Sequence, residues 1–223
     1  MKNVVLISAS PKMAEQSLSK YLLEILEGMV NSPSLKKNTI DVRKSISHHT
    51  TDEDFTILSQ ADALVIAFPL YFFCLPGILT RFLEDYLNFM KKHEIQSKPM
   101  KVYTIVNCGF PEPGINLEAA RVIQSFSHHI HAYFRFAIMI GGGGMLLEAK
   151  DAPFLKKTWR NLNDAFAKIL QDIQSDTFDD IENICISVKF PRRLYFMMGN
   201  HNWKSLAKQN GLKKKDLYFT PYQ

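Results

Sequence analysis

The sequence predicts an α/β protein, a doubly wound parallel sheet of five strands followed by a C-terminal helical extension. Three observations lead there. Short, continuously apolar runs such as Val4–Ile7 and Ala63–Phe68 lack the in–out alternation of a half-exposed strand, as expected of parallel strands covered on both faces. Amphipathic helical patterns separate these runs, and strand–helix–strand units cross over right-handed to lay their strands parallel. The loops leaving three of the strands carry hydroxyl, aromatic and amide residues, at the carboxyl edge where such sheets bind ligands.

The first strand, Lys2–Ile7, contains the short apolar, β-branched run Val4–Ile7. Leu18, Tyr21, Leu22, Ile25, Leu26 and Met29 then recur at three- and four-residue spacings, the mark of an amphipathic helix. Turn residues including Pro33 end it, and Thr39–Val42 reads as a short strand. His48–Asp54 is polar and reads as loop before a brief helix over Asp54–Gln60. Ala63–Phe68 is the third strand, and Gly77–Lys92 a helix with Ile78, Phe82, Leu83, Tyr86 and Leu87 on one side. Lys101–Val106 is a strand, Glu118–His129 a helix, and Ala132–Ile140 a strand ending in the four glycines Gly141–Gly144. Phe154–Ile173 is a long amphipathic helix. The tail departs from this rhythm. Cys185–Val188 is a further strand candidate outside the five, and Pro191 suits the first position of a helix reaching Asn210, with Gly211 as its cap. Residues 1–175 are expected to form the main domain and 176–223 an extension that packs on it or on a partner subunit.

With 46% hydrophobic and 22% charged residues, the 223-residue chain has the composition of an ordinary globular domain. The net charge of +5 is spread over small clusters, Lys36-Lys37, Lys91-Lys92, Lys156-Lys157, Arg192-Arg193 and Lys213–Lys215, which read as solvated faces. No nucleic-acid motif accompanies them, so nucleic acid is not an expected partner. The three cysteines, Cys74, Cys108 and Cys185, are dispersed and form no metal or disulfide pattern. His48-His49 and the group His128, His129 and His131 read as surface histidines, because adjacent side chains diverge. No apolar run approaches the ~20 residues of a membrane span, and the apolar run behind Lys2 is too short for a signal peptide. A cytoplasmic protein is expected.

The chemistry sits in three loops. Ser8–Ser17 has neither a Walker pattern nor GxGxxG; with the residues just after it, it offers the hydroxyls of Ser8, Ser10, Ser17 and Ser19, the Gln16 amide, the Lys12 ammonium and the N–H groups that open a helix at Leu18. That set suits a phosphate dianion, and equally an ordinary loop with a serine cap. In the second loop, Pro69, Leu70, Tyr71, Phe72 and Phe73 run from a strand end towards Pro76. Three consecutive rings between prolines cannot all point inward, so exposed aromatic surface is expected, for stacking a ligand or for a dimer contact. The third loop, Asn107, Cys108, Gly109 and Phe110, joins an amide to a glycine that permits close approach. Cys108 has no evident activating base. A phosphate site beside a ring site describes a mononucleotide whose ring reacts, with FMN the leading candidate.

The strand-linked Ser-x-Ser-x5-Gln-Ser loop, the run ADALVIAFPLYFFCLPG and the run NCGFPE together resemble the flavodoxin-like NAD(P)H-dependent oxidoreductases, the superfamily of FMN reductases and quinone reductases. The resemblance covers about residues 1–175. It implies that Ser8, Ser10, Lys12, Gln16, Ser17 and Leu18 surround the FMN phosphate, that Pro69 to Phe73 border the isoalloxazine, and that Asn107 to Phe110 meet its polar edge. It implies a homodimer, NADPH or NADH as reductant, and a quinone, flavin or other small acceptor, with no catalytic side chain. Lys12 stands where many such proteins carry Arg, which keeps the charge and loses the bidentate contact. A flavodoxin-type electron carrier and a non-enzymatic sensor of the same fold remain as rival readings.

Overall fold

The computed structural model describes residues 1–13, 16–95 and 98–220. The chain forms two compact units, Met1–Val188 and Lys189–Gln223. The first holds β1 (Lys2–Ser8), α1 (Leu18–Met29), β2 (Leu35–Asp41), α2 (Val42–Ser47), α3 (Thr51–Ser59), β3 (Ala63–Pro69), α4 (Gly77–Lys92), β4 (Lys101–Asn107), α5 (Leu117–His129), β5 (Tyr133–Gly141), α6 (Gly143–Glu148), α7 (Lys156–Gln174) and β6 (Ile184–Ser187). The second holds α8 (Arg192–Gln209) and a short 3₁₀ turn, Lys214–Tyr218.

All strands are parallel, in the order β2-β1-β3-β4-β5-β6. The first five follow the doubly wound order of flavodoxin-like sheets. The central strands β1, β3 and β4 are buried along almost their whole length, which explains their unbroken apolar sequence. Val5, Ile7, Leu64, Ile66, Phe68, Val102 and Val106 pack with residues of α2, α3, α4 and α5, around the ring cluster Phe55, Phe82 and Tyr86. The alternate residues Val4, Leu6, Val65, Tyr103 and Ile105 point to the other face, the side of α1 and α7.

The sheet has six strands rather than five. The sixth comes from the segment expected to belong to the extension, where Ile184–Ser187 pairs with Ile138–Gly141. The acidic stretch before it hid the βαβ rhythm. The crossover helix is α7, and Asn183 Oδ1 accepts the Ala137 N–H at 2.7 Å, which stitches the strand to β5. Two other boundaries shift. Strand β2 begins at Leu35, because an edge strand can carry the polar residues Lys36, Lys37 and Asn38. Asp41 caps α2 through its carboxylate, which accepts the Lys44 N–H at 3.2 Å, so the chain leaves β2 directly into a short helix. Among the described residues no helix is long and apolar enough to cross a membrane, and no group of three or more His, Cys, Asp or Glu could hold a metal ion.

Candidate functional site

Register places three loop starts side by side at the carboxyl edge: Ser8 lies opposite Ala67, and Pro69 opposite Asn107. In the first loop, Ser17 caps α1: its Oγ accepts the Lys20 N–H at 3.2 Å. The Leu18 and Ser19 N–H groups then lie in the first turn of the helix, where no intrahelical acceptor exists. Ser10 Oγ accepts the Lys12 N–H at 3.4 Å. Both serine hydroxyls keep their own proton to donate. Ser8, Ser10 and Ser17 are buried, while Lys12 and Gln16 are exposed. Ala14 and Glu15 of this loop lie outside the described residues.

The second loop is a strained aromatic turn. Tyr71 and Cys74 form an isolated antiparallel bridge, with N–H to O distances of 3.0 and 2.8 Å. The two residues between them, Phe72 and Phe73, have φ of 47° and 61°. Such turns ordinarily take Asn-Gly, since only small or side-chain-bonded residues enter the left-handed region without strain. Phe72 is 100% exposed, so the strain does not serve core packing. Phe73 stacks on Phe110 at 6.1 Å and 19°, which extends the exposed aromatic surface to the third loop. Leu70 turns inward against the core and Pro69 is half-buried.

The third loop is locked from behind. Asn107 is buried and its amide donates to Ser19 Oγ at 2.8 Å and to the Phe68 carbonyl at 3.2 Å. It therefore ties β3, β4 and α1 together, and both its N–H groups are spent doing so. Burial pushes the Cys108 thiol up, and its Sγ faces the carbonyls of Phe110 and Ile140 at 3.5 and 3.6 Å. This is a packed thiol, not an activated nucleophile. The glycine run after β5 closes the loop: Gly142 N–H donates to the Phe110 carbonyl at 2.7 Å and Gly143 N–H to the Cys108 carbonyl at 2.8 Å. A Cβ on Gly141 would stand 2.4 Å from the Pro111 oxygen, so glycine is required there.

These loops enclose a cleft of about 150 Å³. Ser10, Lys12, Ser17 and Leu18 line one side, and Pro69, Tyr71 and Asn107 the other. An adjoining groove of about 280 Å³ is lined by Ser8, Gln16 and again Ser10, Lys12 and Ser17. Phe72, Phe73, Gly109 and Phe110 are exposed and stand outside this lining, as do the half-buried Leu70 and the buried Cys108. The sequence reading missed the fourth wall, Gly143, Gly144, Leu147 and Glu148 of α6. Its only signal was the glycine run, which reads equally as a strand exit. Ser19, whose hydroxyl was noted with the others, completes the lining. A larger groove, about 360 Å³ at the β2 edge, is lined by charged and hydroxyl residues around Leu23 and Ile40, with no ring. The cleft thus sets hydroxyls, a cation and a helix start against the ring of Tyr71, the first residue of the exposed aromatic turn. An anionic group and a flat ring joined by a short linker match that arrangement.

No protein-family model matches the chain, and no curated protein matches it. Solved structures do share its fold. One is an NADH:FMN oxidoreductase in apo form, 18% identical, with a TM-score of 0.55, over 79% of this chain and 92% of that one. Another is general stress protein 14 of Treponema denticola in complex with FMN, 15% identical, with a TM-score of 0.55, over 77% and 99%. A third is an FMN-dependent NADH-azoreductase of Bacillus anthracis in complex with FMN, 14% identical, with a TM-score of 0.53, over 76% and 99%. At such identities the likeness concerns the fold, and the fold is flavodoxin-like.

Proposed function

We propose that the protein is an FMN-dependent oxidoreductase that takes a hydride from NADPH or NADH and passes the electrons to a quinone, flavin or other small acceptor. The observation that carries this reading is the cleft itself. A phosphate-type end and an exposed aromatic end face each other at the carboxyl edge of the sheet. The residues fit the cofactor: the Ser10 and Ser17 hydroxyls, the Lys12 ammonium and the open N–H groups of α1 are all donors, as a phosphate dianion needs. Tyr71, Phe73 and Phe110 give the ring a flat apolar border. Both Asn107 N–H groups are taken, so Asn107 meets the polar ring edge only as an acceptor, through Oδ1. Two of the fold neighbours carry FMN in their crystals, and another is an NADH:FMN oxidoreductase.

Bound FMN would supply the two-electron chemistry. The chain's part is to hold the phosphate, to fix the ring against the 69–73 turn, and to leave one ring face open for the reductant and then the acceptor. No side chain in the cleft acts as acid or base in this scheme. A homodimer belongs to the proposal, since the exposed rings of Tyr71, Phe72, Phe73 and Phe110 leave the ring site open on one side. The test is spectroscopic. Purified protein given FMN should retain it through gel filtration and bleach on adding NADPH or NADH; a protein that stays colourless refutes the reading. Replacing Ser10 and Ser17 together by Glu should weaken FMN binding by about two orders of magnitude, from two lost charge-assisted hydrogen bonds and added repulsion.

A further inference from the structure

The C-terminal unit concentrates the positive charge of the whole chain. From Lys189 to Gln223 there are eight Lys and Arg residues and one acidic residue, Asp216, a net charge of +7. The unit Met1–Val188 has 19 Lys and Arg against 21 Asp and Glu, a net charge of −2. Asp216 is engaged internally, accepting the Lys213 N–H at 2.7 Å. The same short unit exposes bulky apolar side chains. Of the 18 residues of α8 only Ala207 is buried. Trp203 is 68% exposed and Phe219 75%. Such a helix has no core of its own to support it, and helices in proteins draw most of their stability from a packed face.

We infer that this unit docks onto an anionic lipid surface. On α8 the helical period puts Phe196, Trp203 and Leu206 on one face, with Arg192 among them, and Arg193, His201, Lys204 and Lys208 on the face beside it, with Met197 among them, so the helix is only weakly amphipathic. Gly211, at φ 73°, precedes Lys213, Lys214 and Lys215, which are followed after Asp216 by the exposed Leu217, Tyr218 and Phe219. Basic residues bordering a face with Trp, Phe and Leu are the composition of a helix that lies in the bilayer interface, with rings at headgroup depth and ammonium groups reaching the phosphates. The helix is not apolar enough to span, so the binding is to one surface. A second copy of the same unit would bring +7 against +7, and a nucleic-acid duplex, its bases already stacked, would leave the apolar rings without a role.

Sedimentation of the full-length protein with vesicles tests this, using phosphatidylcholine alone or mixed with phosphatidylglycerol. Binding is expected only to the anionic vesicles and falls as salt is raised. Replacing Lys213, Lys214 and Lys215 by Gln lowers the partition constant by about two orders of magnitude, at about fivefold for each charge near the surface. Replacing the exposed Lys156 and Lys157 of α7 by Gln leaves it unchanged. In a Trp159→Phe background, Trp203 emission shifts to the blue on binding. Equal binding to neutral vesicles, no binding at low salt, or full retention by the triple variant overturns the proposal. So does an unshifted Trp203, or binding to duplex DNA with no binding to vesicles. None of these measurements depends on flavin.

Discussion

Phe72 and Phe73 are the residues whose conformation is hardest to explain by folding alone. Each sits at positive φ with a large ring, which costs roughly 1–2 kcal/mol relative to a residue suited to that region. The double substitution Phe72→Asn, Phe73→Gly should therefore relieve about 2–4 kcal/mol and lose about 1 kcal/mol of stacking on Phe110, a net stabilisation of about 1–3 kcal/mol, or about 2–4 °C of melting temperature per kcal/mol at this size. The same change removes the ring that stacks on Phe110, so the proposed flavin should bind more weakly. A fall in melting temperature would mean that the rings pack more than they strain. Glu148 gives a prediction of opposite sign for binding. Its exposed carboxylate joins the lining of a cleft whose other charge is Lys12. Glu148→Gln should tighten FMN binding severalfold in titrations at low salt, and the gain should shrink as salt screens it.

At the scale of elements, the junction of β5 and α6 sets the shape of the cleft. Gly141 meets backbone atoms of Pro111, which cannot swing aside as a side chain could. Gly141→Ala should lower stability by about 1–3 kcal/mol and displace the 108–111 loop, with weaker FMN retention as the functional readout. How far each element was legible follows from its burial. β1, β3, β4 and α4 were readable because strands buried on both faces and a long amphipathic helix write their position into hydrophobic spacing. The first half of β2 and all of β6 were not, because edge strands can be polar or short. The Ser10, Lys12, Ser17 and Asn107 positions were readable as residues at strand exits. The α6 wall was not, because its approach to Cys108 and Phe110 is a tertiary contact between distant loops. Asn107 shows the remaining limit: sequence found the residue, but only the partners Ser19 and Phe68 reveal that it braces the site from within.

Across the whole molecule, the end of the sheet opposite the cleft is held by a buried polar clasp. The last turn of α7 contains no basic residue, and the strands supply them instead. Lys101, the first residue of β4, donates to the carbonyls of Asp172, Ser175 and Thr177 at 2.6, 3.0 and 2.9 Å, and Lys2 donates to that of Ile173 at 2.9 Å. Both place positive charge at the helix C-terminus, where the dipole favours it. The β4–β5 register skips Arg135, and its guanidinium grips Asp172 through two bonds of 2.8 and 2.9 Å. Tyr103 donates its hydroxyl to the same carboxylate at 2.6 Å. Burial by itself would raise the Asp172 pKa, but the Arg135 and Tyr103 hydrogen bonds and the nearby cations outweigh it and hold the carboxyl below its ordinary value of 3.8. The unfolded chain therefore takes up this proton first as pH falls. The stabilisation is complete above the ordinary carboxylate value and is lost as pH drops through the lowered one. Asp62, held low by the Asn3 N–H and Lys98 against its own desolvation, adds to the same acid limb. Asp172→Asn should lower stability at neutral pH by about 3–5 kcal/mol, since it strands Arg135 and Lys101 without their counter-ion. Denaturant unfolding of both proteins between pH 7 and pH 2 should then show the gap narrowing as acid is added, with residual slope in the variant from Asp62. A gap of constant size across that range would mean that Asp172 acts through packing rather than charge. Because the clasp and the cleft lie at opposite ends of parallel strands, FMN affinity in the still-folded variant should stay within about twofold of the parent, as expected for independent sites.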